Sequence, residues 1–385
     1  MIVTVVCDVL GKENNGTTIA AMNLIRSLKS KGHTVRVVCP DEDKKDIEGY
    51  YVVPKVNLGP LNNYVSKNGV SLAKPVKSII RGAIEGCDVV HIMIPFALGH
   101  AAALIAKELH IPVTSGFHAQ AENFTNHIFM MNNNLMNKLT YKYFYRNLYR
   151  YVDAIHYPTE FIREIFEGVV GKTNGYVISN GVNKSFAKRS ATRSNNLENK
   201  YVILFIGRYS KEKSHKVLMK AVSLSKYKDD IQLIFAGAGP QYEALVKYAK
   251  KLDITMPIFN FYSRDELINV INSADLYVHP AEIEIEAIAC LEAITCGLVP
   301  IIANSPRCAT KAFAMGENNL FKNKDSEDLA RKIDYWIDNP KEKEKCSLEY
   351  MGYSKKFDHD YCMDKMEEML KETIDNYKNK ETTEK

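Results

Sequence analysis

Short apolar runs, each followed by a polar turn and then a helical stretch, recur through most of this chain. They lie at residues 3–7, 34–39, 88–93, 113–118 and 154–157, and again at 201–206, 231–236, 258–261, 276–278 and 300–303. Runs this short, rich in Val and Ile, suit strands buried on both faces, and strands that alternate with helices suit parallel sheets. The alternation restarts after 188–199, a polar stretch without periodicity that reads as a linker. The pattern predicts an α/β fold of two doubly wound, Rossmann-like domains. They are expected at 1–188 and 200–356, followed by a helix at 357–378 and a charged, disordered tail at 379–385.

Composition narrows the class. The chain has 385 residues, enough for two cores, and its 46% hydrophobic and 25% charged content is that of an ordinary globular protein. No apolar run approaches the roughly 18 residues of a membrane span, and the apolar start lacks a basic leader, so it reads as a first strand. The eight cysteines sit mostly inside apolar runs and form no C-x-x-C pair. That pattern predicts reduced core thiols in a cytoplasmic protein rather than disulfides or zinc. The net charge of +5 is concentrated in the first half of the chain, which suggests an anionic ligand or surface there. No nucleic-acid-binding motif accompanies it. Two D-x-D triplets, at 41–43 and 358–360, read as surface charge, and no metal is expected.

One stretch concentrates the candidate chemistry. The strand at 276–278 is stopped by Pro280, and Glu282, Glu284 and Glu286 then crowd the turn before a helix that Gly297 ends. In an open α/β sheet this crevice binds ligands, and a helix N-terminus offers N–H groups to an anion. Acids there also favour the helix dipole. That bland reading covers Glu284 and Glu286 but not Glu292, which sits among Ala, Cys, Leu and Ile and should need a polar partner. Arg208 and Lys213, on the turn after the strand at 201–206, suit a diphosphate, although basic loop residues are often simply solvated. In the first half, Gly16 and Thr17 lie on a polar strand-to-helix loop, and His118 ends a strand beside Gly116 and Gln120. The helical stretch 133–152 places Lys138, Lys142, Arg146 and Arg150 at successive i+4 steps, one basic stripe with Leu135, Leu139, Tyr143, Leu148 and Tyr151 nearby.

These residues assemble into a known pattern. Glu284 and Glu292 enclose seven residues, as in the E-x7-E motif of retaining family 4 glycosyltransferases with the GT-B fold, which this chain resembles. Gly207-Arg208 with Glu212-Lys213 is similar to the family's G-R-x-x-x-E-K segment. Gly237-Ala238-Gly239-Pro240 is similar to its G-x-G-P turn, and Asn180-Gly181-Val182 to its N-G-V-D turn. Ala274-Asp275 and Gly32-His33-Thr34-Val35 match two further motifs in the right order. The resemblance implies two domains facing a cleft, with the C-terminal helix crossing back to the first.

The resemblance also implies roles. Arg208 and Lys213 would hold the nucleotide diphosphate, Glu292 the ribose hydroxyls and Glu284 the transferred sugar. Gly207 and Ile288 would complete the donor site, Gly16 and Thr17 would touch the diphosphate, and His118 would lie by the sugar. Transfer with retention, through a short-lived oxocarbenium-like pair, needs charge stabilisation on the departing diphosphate and no cofactor. The sequence departs from the family where glycines usually follow the first glutamate; here stand Ile285, Glu286 and Ala287. Segments 117–123 and 305–310 look similar to bacterial enzymes that glycosylate diacylglycerol or other envelope lipids. The expectation is therefore hexose transfer from a nucleotide sugar such as UDP-glucose to a lipid or glycan hydroxyl. The basic stripe would then rest on an anionic membrane, at the inner face of the cell membrane. A nucleotide-sugar epimerase of the same shape and a non-catalytic membrane- or partner-binding relative remain the alternatives.

Overall fold

The computed structural model describes residues 1–383 apart from 9, 11–15, 58, 60–71, 127–129 and 194–196. The loop at 11–15, which leads into Gly16, therefore lies outside the described residues. The chain forms two compact units, Met1–Asn180 with Asp360–Lys385, and Gly181–His359.

The first unit is built on β1 (Ile2–Val6), β2 (Thr34–Cys39), β3 (Tyr50–Val52), β4 (Val89–Ile92), β5 (Val113–Gly116), β6 (Ala154–Tyr157) and β7 (Gly175–Val177). These strands pair in parallel in the order β3-β2-β1-β4-β5-β6-β7. The winding reverses between β1 and β4, which opens a crevice at their carboxyl ends. The inner strands are buried on both faces, which is why they read as unbroken apolar runs. The helix Gly16–Ser30 packs Ala20, Ala21, Leu24, Ile25 and Leu28 against this sheet.

The last helix, His359–Thr383, completes the same core with Met363, Met366, Met369, Leu370 and Ile374. Its outer face is tied by Lys31 to Glu367 (2.8 Å), His33 to Glu367 (3.0 Å) and Tyr176 to Glu372 (2.9 Å). The helix runs on to Thr383 where a disordered tail was expected from 379. Its last residues include Lys and Glu, which are good helix formers, and the Thr382 and Thr383 hydroxyls donate to the Lys378 and Asn379 carbonyls. Asp41, read as surface charge, is buried just after β2.

The second unit contains β8 (Tyr201–Ile206), β9 (Ile231–Ala236), β10 (Ile258–Asn260), β11 (Leu276–His279), β12 (Pro300–Asn304) and β13 (Leu320–Lys322). They form a parallel sheet in the order β10-β9-β8-β11-β12-β13. Here the winding reverses between β8 and β11. The described residues of the stretch 188–199, expected to link the domains, pack on this unit instead. The Arg189 amide donates to Asn272 (2.8 Å), Arg193 pairs with Asp275 (2.7 Å) and Leu197 is buried. The chain passes between units at the Asn180-Gly181 turn, where Gly181 adopts φ 75°.

Candidate active site

The carboxyl ends of β8 and β11 carry the residues that the sequence singled out. After β8 the chain turns through Gly207 and Arg208 to Tyr209, a buried anchor whose hydroxyl donates to the Phe235 carbonyl (2.7 Å). The end of β9 and the segment after it brace this turn: Gly207 N–H donates to the Ala236 carbonyl and Tyr209 N–H to that of Ala238, both at 3.0 Å. A 3₁₀ turn, Lys211–Lys213, follows, and Ser214 in the left-handed region (φ 52°) starts the helix His215–Leu224. That geometry sends Lys213 toward the β11 side.

After β11 the three acids part company. Glu282 is a structural tie: its carboxylate accepts from Ser214 (3.2 Å) and Arg307 (3.3 Å) and pairs with Lys324 (2.9 Å). Glu284 is stitched by its backbone to the segment after β12, with the Ala309 amide donating to its carbonyl (2.9 Å). Its side chain forms an ion pair with Lys213, both groups 17% exposed, and His279 Nε2 stands 3.4 Å from the same oxygen, Oε1. Burial pushes the Glu284 carboxyl up, but the Lys213 charge and His279 together bring it down to about 2. Burial lowers the Lys213 ammonium, and Glu284 more than restores it. Glu286 is buried, and Glu284 is the acid of the three that pairs with Lys213.

The helix Ile288–Thr295 opens at Ala287, a left-handed residue (φ 60°) where the family prefers glycine. Its first amides, Ile288 and Ala289, precede the first intrahelical bond, from Cys290 to Ala287 (2.9 Å), so the positive end of the helix lies in the crevice. Glu292 is partly buried one turn on, as its spacing implied. The expected hydrogen-bonding partner is absent among the described residues; burial raises its carboxyl to about 8, opposed only by the charge of Arg264.

In the first unit, Gly16 and Thr17 form the start of the helix after β1, and a Cβ on Gly16 would meet none of the described residues within 4 Å. His118 follows β5 with its ring folded back over Gly116 and edge-on to His156 at 5.6 Å. Burial, then His156 and His91, hold it well below the usual histidine range, so it is a neutral imidazole. The helix Asn134–Asn147 buries Tyr141 and Phe144 and exposes Lys138, Lys142 and Arg146. Leu148 leaves helical geometry so that Tyr149 can enter the core. Arg150 therefore falls outside the helix, stacked on Tyr151, and the basic stripe is three residues rather than four. Beside it three of the five apolar neighbours named from the sequence form an exposed ridge: Leu135 is 66%, Leu139 49% and Tyr143 59% exposed, while Leu148 is buried.

Two parallel-sheet units, one with a cation and a carboxylate paired where its winding reverses, define a doubly wound class of α/β protein whose ligand crevice lies at the carboxyl ends of the strands. Comparison with known proteins makes the class specific. The family described as "Glycosyl transferases group 1" matches residues 186–349, and "Glycosyltransferase Family 4" matches residues 14–186. The chain is 24% identical over 307 residues to an alpha-monoglucosyldiacylglycerol synthase of Streptococcus pneumoniae, covering 75% of this chain and 68% of the relative. It is 25% identical to a GDP-mannose-dependent alpha-mannosyltransferase of Corynebacterium glutamicum, over 92% of this chain and 85% of the relative. Among solved structures, Anabaena Alr3699/HepE with UDP and glucose superposes with a TM-score of 0.75 at 15% identity, over 97% of this chain and 100% of that one. The chain belongs to the family 4 glycosyltransferases and has the GT-B fold.

Proposed function

We propose that the protein transfers a hexose from a nucleotide sugar, UDP-glucose or a close analogue, to a hydroxyl of a membrane lipid such as diacylglycerol or another envelope glycan precursor, with retention. The observation that carries this reading is the Lys213–Glu284 pair at the point where the second sheet reverses, with Arg208 on the same loop. Lys213 and Arg208 neutralise charge that builds on the diphosphate as the sugar–phosphate bond breaks, and the amides of Ile288 and Ala289 add donors. Glu284 accepts from sugar hydroxyls through Oε2, which no described residue engages. Glu292, lacking a protein donor, accepts from the ribose diol. No metal or cofactor enters this scheme. The roles of Gly16, Thr17 and Gly207 at the donor, and of His118 by the sugar, rest on the family pattern.

The lipid acceptor is supported by the alpha-monoglucosyldiacylglycerol synthase relative and by the exposed face of the helix Asn134–Asn147. On that face apolar side chains lie beside cations, as on a helix that rests at the headgroups of an anionic bilayer. Relatives that bear glucosyl and mannosyl names leave the donor to experiment. The test incubates the purified protein with UDP- and GDP-sugars, each with and without diacylglycerol or total lipid extract, and reads the anomeric configuration of the product by NMR. A new α-glycosyl lipid from an α-linked donor supports the reading. Release of sugar or epimer without any acceptor, or an inverted product, overturns it.

A further inference from the structure

His279 closes β11 with its ring 1% exposed. Its Nδ1 lies 3.1 Å from the Tyr277 hydroxyl, which also bonds to the backbone of Ile206. Its Nε2 faces Glu284 Oε1 at 3.4 Å without completing a hydrogen bond. An ionised carboxylate only accepts, so the nitrogen that faces it carries the proton, and Nδ1 accepts from the Tyr277 O–H. A fully buried N–H short of a bond is rare in a native protein and calls for a reason. The reason lies one atom away: Oε1 is drawn to the Lys213 ammonium, which leaves the His279 N–H at the edge of bonding range.

We propose that His279 is a positioning residue held in reserve for Glu284. The inference rests on the transferase reading, in which the donor diphosphate draws Lys213 away. At that moment Glu284 loses its cation while it remains largely enclosed, and a buried carboxylate without a partner is unstable. The His279 N–H then closes onto Oε1 and keeps Oε2 turned to the sugar. Tyr277 fixes the tautomer, and the strand gives the ring a rigid base. The ring faces Glu284 and Lys213, and burial holds it below its ordinary range, so it serves as a neutral donor across the physiological range.

Two substitutions separate this role from packing. His279→Gln places an amide N–H near Nε2, whereas His279→Asn places its amide near Nδ1 and leaves Oε1 without that donor. With the best nucleotide sugar, His279→Asn should lose about tenfold or more in kcat while binding free nucleoside diphosphate within about threefold of the parent, and His279→Gln should retain kcat within about threefold. In the parent labelled with ¹⁵N-histidine, the Nε2 proton resonance should move downfield when UDP or GDP is added. Equal losses in both variants, losses of nucleotide affinity that track a fall in Tm, or an unmoved resonance in a protein that binds nucleotide would overturn the inference. A parent that binds no nucleoside diphosphate and turns over no nucleotide sugar removes the transferase reading itself, and the inference with it.

Discussion

Gly237 approaches Gly207 so closely that a Cβ built on it would stand 2.1 Å from the Gly207 carbonyl oxygen. Gly239 is as tightly placed against Tyr209, 2.6 Å from its carbonyl oxygen. The G-x-G-P turn is therefore a backbone-to-backbone brace under the loop that carries Arg208 and Lys213. A methyl at 237 meets backbone that cannot step aside, so Gly237→Ala should cost about 1–3 kcal/mol and weaken nucleoside diphosphate binding as the loop shifts. Gly16→Ala meets no described residue, so it should leave stability within about 1 kcal/mol and lower only nucleotide affinity. Denaturant melts with calorimetry on both variants check the contrast.

Removal of either cation from the β8 loop should slow transfer. Arg208→Ala or Lys213→Ala is expected to lower turnover by roughly 10²-fold or more, with a parallel loss of nucleoside diphosphate affinity. Near-normal rates in both single variants would dissociate this loop from the diphosphate.

The two glutamates should differ in their pH behaviour. Glu292, pushed up to about 8, is mostly protonated at pH 7 in the empty site, yet ribose hydroxyls bind the ionised form better. Nucleotide binding at pH 7 should then release close to one proton, and affinity should rise about tenfold between pH 7 and pH 9 beyond the change attributable to the nucleotide itself. Glu292→Gln should abolish that component and weaken binding, whereas Glu284→Gln should lower turnover with little change in nucleotide affinity. Calorimetry in buffers of different ionisation enthalpy measures the proton count. A release that survives in Glu292→Gln assigns it elsewhere.

The apolar ridge predicts a surface measurement. Binding to vesicles should rise with anionic lipid, fall with salt, and drop when Lys138, Lys142, Arg146 and Arg150 become Gln. Replacement of Leu135, Leu139 and Tyr143 by Ser should weaken binding at every salt concentration, because burial in the headgroup layer does not depend on screening. Equal sedimentation with neutral and anionic vesicles, or with neither, would favour a water-soluble acceptor.

What the sequence conveyed follows from burial. Inner strands such as β4 and β8 are enclosed on both faces and spell out their own positions, whereas the three-residue edge strands β3 and β13 leave too short a signature to separate from loops. That Arg208, Lys213, Glu284 and Glu292 follow β8 and β11 was legible through their spacing. The division of labour between Glu282 and Glu284 was not, because it depends on Arg307 and Lys324, which only the fold brings to the same carboxylate. His279 was hidden for the same reason: a histidine before a proline announces nothing until Tyr277 and Glu284 are seen on either side of it. The basic stripe lost Arg150 because the burial of Tyr149 overrode helical periodicity after Asn147.

The core of the first unit is closed by methionines near the end of the chain, Met363, Met366 and Met369, and the second unit is one unbroken segment, Gly181–His359. During synthesis the later segment therefore has every residue of its sheet before the earlier one has its closing helix. A chain that has emerged only as far as His359 should hold a compact second unit beside a first unit whose apolar sheet face waits, uncovered, for the helix His359–Thr383. Chains truncated after His359 and released from the ribosome should show that order as protease resistance confined to 181–359, and chaperones should meet this protein through its first unit.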